Sequence, residues 1–149
     1  MNILFVCTSN VCRSPMAEGF AKKWLSQKHG IGIQDLACAG FKVQSRGIST
    51  RYEAPGSPAS AHGVSIMREH GVDIADHRST LLSLTDVLEA THIYCVTPRH
   101  RDTCDIVNNT QKQAMISTFK PEIPDPWHGT MDRFRACAEM LEDAVNKAL

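Results

Sequence analysis

Apolar residues gather in short runs at Ile3–Val6, Leu36–Ala39, Ile93–Val96 and Ala114–Ile116, each too brief for a helix. Runs of that length are expected of strands covered on both faces. Between and after them the apolar spacing changes to the helical period. Ala17, Phe20, Ala21, Trp24 and Leu25 fall on one face of a first helix. A second helix is predicted to open at Ser57-Pro58, turn Val64 and Met67 inward and stop at Gly71. Ser83 and Asp86 have the spacing of a capping box ahead of Val87 and Leu88. Thr97-Pro98 opens a helix through about Val107, and a last one runs from about Thr130 with Phe134, Cys137, Ala138, Leu141, Val145 and Ala148 on one stripe. Strands alternating with helices predict right-handed βαβ units and a parallel sheet. The expectation is one α/β domain over residues 1–149: a three-layer sandwich, its four-stranded parallel sheet flanked by helices.

Composition narrows the function classes. Sixteen basic residues balance sixteen acidic ones, so net charge argues for neither nucleic acid nor a membrane surface. No apolar stretch reaches spanning length, and Met1–Cys7 lacks the basic start and long apolar core of an export signal. Six cysteines without such a signal read as reduced thiols of a cytoplasmic protein. Cys7-x4-Cys12 and His100-x3-Cys104 approach metal-ligand spacings, but no second close cysteine pair completes a set. No metal or other cofactor is expected.

The chemistry concentrates where the first run ends. Cys7-Thr8-Ser9-Asn10-Val11-Cys12-Arg13-Ser14 follows Ile3–Val6 and precedes Pro15, which predicts strand, tight loop and helix start. Backbone N–H groups and the helix N-terminus make such a loop a seat for a phosphate-like dianion, and the same donors stabilise a thiolate. Arg13 adds a planar fork for two phosphate oxygens. Ser14 can donate its hydroxyl to the Cys7 sulfur. The spacing recurs at Cys95–Arg101, but there Pro98 removes an N–H and Asp102 follows the arginine. The first segment is therefore taken as a phosphate loop between strand and helix, and the second as coincidence.

Phosphoryl transfer to a thiolate also needs an acid for the leaving group. The segment Pro121-Glu122-Ile123-Pro124-Asp125-Pro126-Trp127-His128-Gly129 offers Asp125, held between two prolines, while Glu122 lacks that restraint. Trp127 beside it can wall a slot for an aromatic ring.

Cys7-x-x-Asn10-x-Cys12-Arg13-Ser14-Pro15-Met16-Ala17-Glu18 and Asp125-Pro126-Trp127-x-Gly129, with Ala39-Gly40, Gly56-x-Pro58 and His70-Gly71-Val72 through His77 between them, resemble the low-molecular-weight protein tyrosine phosphatase family over essentially the whole chain. The resemblance implies Cys7 as nucleophile, Arg13 as phosphate clamp and Asp125 as general acid and base. It further implies that Thr8 to Ser14 bind phosphate, that Asn10 and Ser14 shape the loop and that His77 supports it from behind. Cys12 would be the reversible disulfide partner of Cys7. Ser9 stands where the family usually has glycine, Trp127-His128 replaces the usual aromatic pair, and Phe41 to Pro55 is long, with Tyr52 a candidate for the substrate wall. The implied partner is a phosphorylated protein, met by a monomer or weak dimer.

Two relatives of the same fold remain as alternatives. Protein arginine phosphatases typically carry threonine where Val11 presents an apolar surface. Thioredoxin-coupled arsenate reductases use two further cysteines; Cys104 lies near one such place and Thr97 near the other. A phosphate-binding module without activity would need only the clamp, whereas nucleophile, clamp and acid are all present.

Overall fold

The computed structural model describes residues 1–108 and 114–149. Its centre is a sheet of parallel strands, β1 (Asn2–Cys7), β2 (Lys42–Gly47), β3 (His92–Cys95) and β4 (Met115–Thr118), in the spatial order β2-β1-β3-β4. β1 pairs on both sides, with Ile3 opposite Val43 on one flank and His92 on the other. Its side chains alternate between faces. Ile3, Phe5 and Cys7 join the larger core with residues of α1 (Arg13–His29), α2 (Ala61–Glu69) and α5 (Met131–Ala148). Leu4 and Val6 join the smaller one, closed by Val87 of α3 (Leu84–Glu89) and Cys104 of α4 (Pro98–Asn108). A strand covered on both faces has no polar positions to spare, which is why β1 reads as an unbroken apolar run. Phe5, Phe20 and Phe134 are fully buried, and each contributes roughly 1.5–3 kcal/mol through burial. Among the described residues no helix is long and apolar enough to cross a membrane.

Local signals set most boundaries as expected. Ser83 and Asp86 exchange both bonds of the capping box, 3.1 and 2.9 Å. Thr130 caps α5 by accepting from the Arg133 N–H, and Gly71 (φ 75°) follows the end of α2 in the left-handed conformation. α2 begins at Ala61 rather than Ser57-Pro58, because those two residues are extended. Ser57 exchanges bonds with Ser79, and Pro58 bridges to Arg78.

The second strand is a correction. Leu36–Ala39 forms turns between a 3₁₀ segment (Ile33–Asp35) and Gly40, and of that run only Leu36 is buried. β2 lies instead at Lys42–Gly47, where the inward positions are Val43, Ser45 and Gly47. With a hydroxyl and a bare backbone at two of its three inward sites, the strand has no hydrophobic alternation to detect.

The order β2-β1-β3-β4 means the chain leaves β1 toward one edge and later returns to its other side. Ligands of open α/β sheets sit beyond the strand ends at such a reversal. Cys7 and the segment after β3 meet there.

Candidate active site

The loop from Cys7 to Arg13 is held open by bonds to its carbonyls. The Cys7 and Thr8 carbonyls accept from the Ile48 N–H at 3.1 and 2.8 Å, and Thr8 also from Ser49 at 3.0 Å. The Asn10 carbonyl accepts from His77 Nε2 at 2.7 Å, and the Val11 carbonyl from the Ser60 N–H at 2.9 Å. In a planar trans peptide the following N–H points opposite to its carbonyl. Carbonyls anchored outward therefore leave the N–H groups facing the cleft. None of the N–H groups of Ser9 to Ser14 donates to a protein acceptor among the described residues. That is a concave seat of backbone donors at a helix start.

Beneath it a chain of hydrogen bonds has a fixed direction. The Asn10 amide, in a residue at φ 60°, donates to Ser14 Oγ at 2.7 Å and to Ser45 Oγ at 2.9 Å. Ser45 passes its own hydrogen to Glu18 at 2.6 Å, and Lys22 holds that carboxylate at 2.6 Å. The Asn10 side-chain oxygen in turn accepts from the Thr80 N–H. Ser14 Oγ, which accepts from Asn10, lies 3.0 Å from Cys7 Sγ and 3.4 Å from the Arg46 carbonyl, so its one hydroxyl hydrogen is within reach of both and can serve the sulfur once that is a thiolate. The side chains of Asn10 and Ser14 are completely buried and brace the loop from beneath.

Arg13, only 5% exposed, joins three parts of the site. Its Nη1 donates to the Ile123 carbonyl at 3.0 Å, while Nη2 reaches Thr8 Oγ1 at 3.4 Å and pairs with Asp125 Oδ2 at 3.6 Å. The other oxygen of Asp125 accepts from the Trp127 N–H at 3.1 Å. A carboxylate placed by proline-bounded backbone, a turn bond and the clamp arginine thus stands across a cleft of about 240 Å³ from Cys7. Val11, Tyr52 and Trp127 supply its apolar walls; the rings of Tyr52 and Trp127 meet edge-on at 5.5 Å. His128 departs from the expected wall. At φ 58° it turns into an adjoining cleft, packed edge-on against Trp127.

Several residues at this site carry no motif in the sequence. A Cβ on Gly47 would come within 2.7 Å of the Thr8 carbonyl oxygen, so only a glycine lets β2 back so closely onto the loop. Glu53 accepts from the Trp127 indole at 3.2 Å and fixes the ring. His100, 2% exposed, engages Thr8 Oγ1 with one ring nitrogen at 2.9 Å and Thr97 Oγ1 with the other at 2.8 Å. Burial first, then the charges of Arg13 and Arg99, push its pKa down to about 4, so it stays neutral. In the sequence His100 stands out only for its spacing from Cys104, which suggests a metal ligand and not the support of a loop.

Of the remaining thiols, Cys38 is exposed, Cys12 lines the cleft, and Cys95, Cys104 and Cys137 are buried. Burial first, then the negative groups Asp125 and Cys7, pushes the Cys12 thiol up to about 12. Cys95 and Cys104 are fully buried with their sulfurs 3.9 Å apart, and their hydrogen bond together with burial raises the Cys95 pKa. Cys104 is therefore walled off from the cleft, and Thr97 is tied to His100. Among the described residues no three His, Cys, Asp or Glu side chains gather as a metal-binding set.

Comparisons with known proteins agree on one family. The sequence model of the low molecular weight phosphotyrosine protein phosphatases matches residues 2–149. A protein-arginine-phosphatase of Geobacillus stearothermophilus is 32% identical, over 97% of this chain and 91% of its own. A low molecular weight protein-tyrosine-phosphatase of Streptomyces coelicolor is 27% identical, over 95% and 87%. The solved structure of the YwlE arginine phosphatase from Geobacillus stearothermophilus superposes with a TM-score of 0.78 at 30% identity, covering 99% of this chain and 89% of that one.

Proposed function

The chain belongs to the low molecular weight phosphotyrosine protein phosphatase family, a family of cysteine-dependent phosphatases, and on that premise we propose that it hydrolyses phosphotyrosine-type monoesters through a cysteinyl-phosphate. The observation that carries this reading is the unpartnered set of N–H groups from Ser9 to Ser14 around Cys7 Sγ, with Arg13 and Asp125 at their edge. The phosphoryl oxygens sit on those donors and on the free hydrogens of the Arg13 guanidinium. The Cys7 thiolate, accepting from Ser14, forms the S–P bond as the P–O bond to the leaving group breaks. Asp125 gives its proton to the departing oxygen, then takes one from a water that attacks phosphorus. The S–P bond breaks, inorganic phosphate leaves and the thiolate is restored. Preorganised donors aimed at the developing charge supply most of the acceleration.

The ring of a tyrosine ester packs against the wall that Tyr52 and Trp127 form together, above Val11. Kinship with an arginine phosphatase favours a second reading, in which the leaving group is a guanidine. A cation in that place needs acids, and Asp125 is the acid lining the cleft, already paired with Arg13. Phosphate release from a phosphotyrosine peptide beside a phosphoarginine peptide separates the two. The expectation is release from phosphotyrosine that is lost with Cys7→Ser. Preference for phosphoarginine would reassign the leaving group and keep the machinery, and release independent of Cys7 would overturn both.

A further inference from the structure

The cleft carries one charge that the proposed reaction does not use. Arg99, in the first turn of α4, lines the same cleft as Cys7 and Arg13, and its side chain is exposed. Neighbouring arginines are neutralised: Arg13 by Asp125, and Arg101 by Asp105 at 3.4 Å. Arg99 makes no ion pair among the described residues. The nearby Glu53 does not serve it, since that carboxylate holds the Trp127 indole and lines the adjoining cleft. On the aromatic wall the guanidinium of Arg51 lies over the Tyr52 ring at 5.9 Å and the Glu53 carboxylate holds the Trp127 indole, so that wall carries both signs of charge and Arg99 remains the uncompensated cation lining the cleft. Burial first, then Arg13 and Arg99, holds His100 neutral, so the charge of Arg99 is felt at the floor of the site as well.

A phosphoryl group is already served by loop donors and Arg13. An additional unpaired cation at the mouth matches an additional anion on the substrate, outside the phosphoryl seat. We infer that Arg99 is a specificity residue that selects phosphotyrosine segments with an aspartate or glutamate beside the phosphorylated residue. The inference rests on the phosphotyrosine reading and adds the class of peptide to it. The same charge disfavours a cationic leaving group, so it works against a phosphoarginine substrate too. Because the pair forms near the surface, its effect is modest and sensitive to salt.

The test compares kcat/KM for a phosphotyrosine peptide with acidic flanks, the same peptide with those acids replaced by their amides, and a small aryl phosphate lacking any flank. The wild-type protein should prefer the acidic peptide by about two- to fivefold at low salt, with the preference fading toward molar salt. Arg99→Ala should bring the ratio to about one, Arg99→Glu should invert it, and Arg99→Lys should retain most of it. A wild-type ratio of one, or a preference that survives Arg99→Ala, overturns the inference and leaves the phosphatase reading intact. Absence of wild-type turnover on the aryl phosphate as well would overturn both. Should Arg99→Ala misfold, Arg99→Gln replaces it, with Arg51→Gln beside it: loss of the preference in the first and its retention in the second assign it to Arg99, and the reverse overturns the inference.

Discussion

Two segments of this chain share the spacing of a cysteine six residues before an arginine, and they end as opposites. From Cys7 to Arg13 the backbone crosses from strand to helix with its carbonyls tied outward, so its N–H groups face a cleft with the sulfur at its floor. From Cys95 to Arg101 the helix begins at once, at Pro98. There the sulfur is sealed against Cys104, and the arginine turns to solvent to pair with Asp105. Spacing alone selects neither. The first segment becomes a site because neighbours hold its backbone open: β2 and the segment after it, His77, and the Ser45–Asn10–Ser14 chain. The second sits at a comparable strand end and lacks that support.

The contrast can be broken deliberately. Replacing the two sulfurs should have the most unequal effect: Cys7→Ser should cost about four orders of magnitude in kcat or more, whereas Cys95→Ser should keep turnover and lose stability by placing a hydroxyl in an apolar layer. Arginine swaps come next. Arg13→Lys removes the fork that ties phosphate, Thr8 and the Ile123 carbonyl together, and should cost about 10²–10³ in kcat/KM; Arg101→Lys should change it less than twofold. Asp125→Asn should slow a phosphotyrosine peptide by about 10² yet barely slow an aryl ester whose leaving group needs no proton. Equal losses on both substrates would make Asp125 structural.

The smallest effect is one of pH. His100 is neutral in the fold, with a pKa near 4 against its ordinary 6.5, so between those values the unfolded chain binds a proton that the folded chain does not. Stability should therefore fall as pH drops from about 6.5 toward 4 and level off below, by up to about 3 kcal/mol for this group. Denaturant unfolding across that range, with His100→Asn as reference, measures it; a wild-type and variant pair with identical slopes would remove His100 from the support of the loop.

What the sequence made legible follows from which forces act on each residue. β1, the first and last helices and the phosphate loop combine apolar pattern, cap chemistry and motif, and all were readable. β2 was not, because its inward positions serve the site. Ser45 relays a hydrogen bond from Asn10 to Glu18, and Gly47 yields room to the Thr8 carbonyl. An inward hydroxyl and a bare backbone leave no hydrophobic signature, while the accidental run Leu36–Ala39 supplied a false one. Asp125, Trp127 and Tyr52 line one cleft with Cys7, but His128 does not, since its left-handed backbone sends it past the indole into the next cleft. His100 drew notice only as a metal-ligand spacing with Cys104, and Arg99 drew none, for a shared reason: both lie in the segment whose own cysteine motif leads nowhere, and only the fold brings that segment against the first.

The central claim, that one cysteine of the two is built to accept phosphorus, can be tested by trapping. Asp125→Asn, mixed with a phosphotyrosine peptide and quenched within the first turnover, should yield a phosphoryl group on the peptide containing Cys7 and none on that containing Cys95. Phosphate released with no phosphorylated Cys7 at any quench time, or a phosphoryl group found on Cys95, would contradict the account.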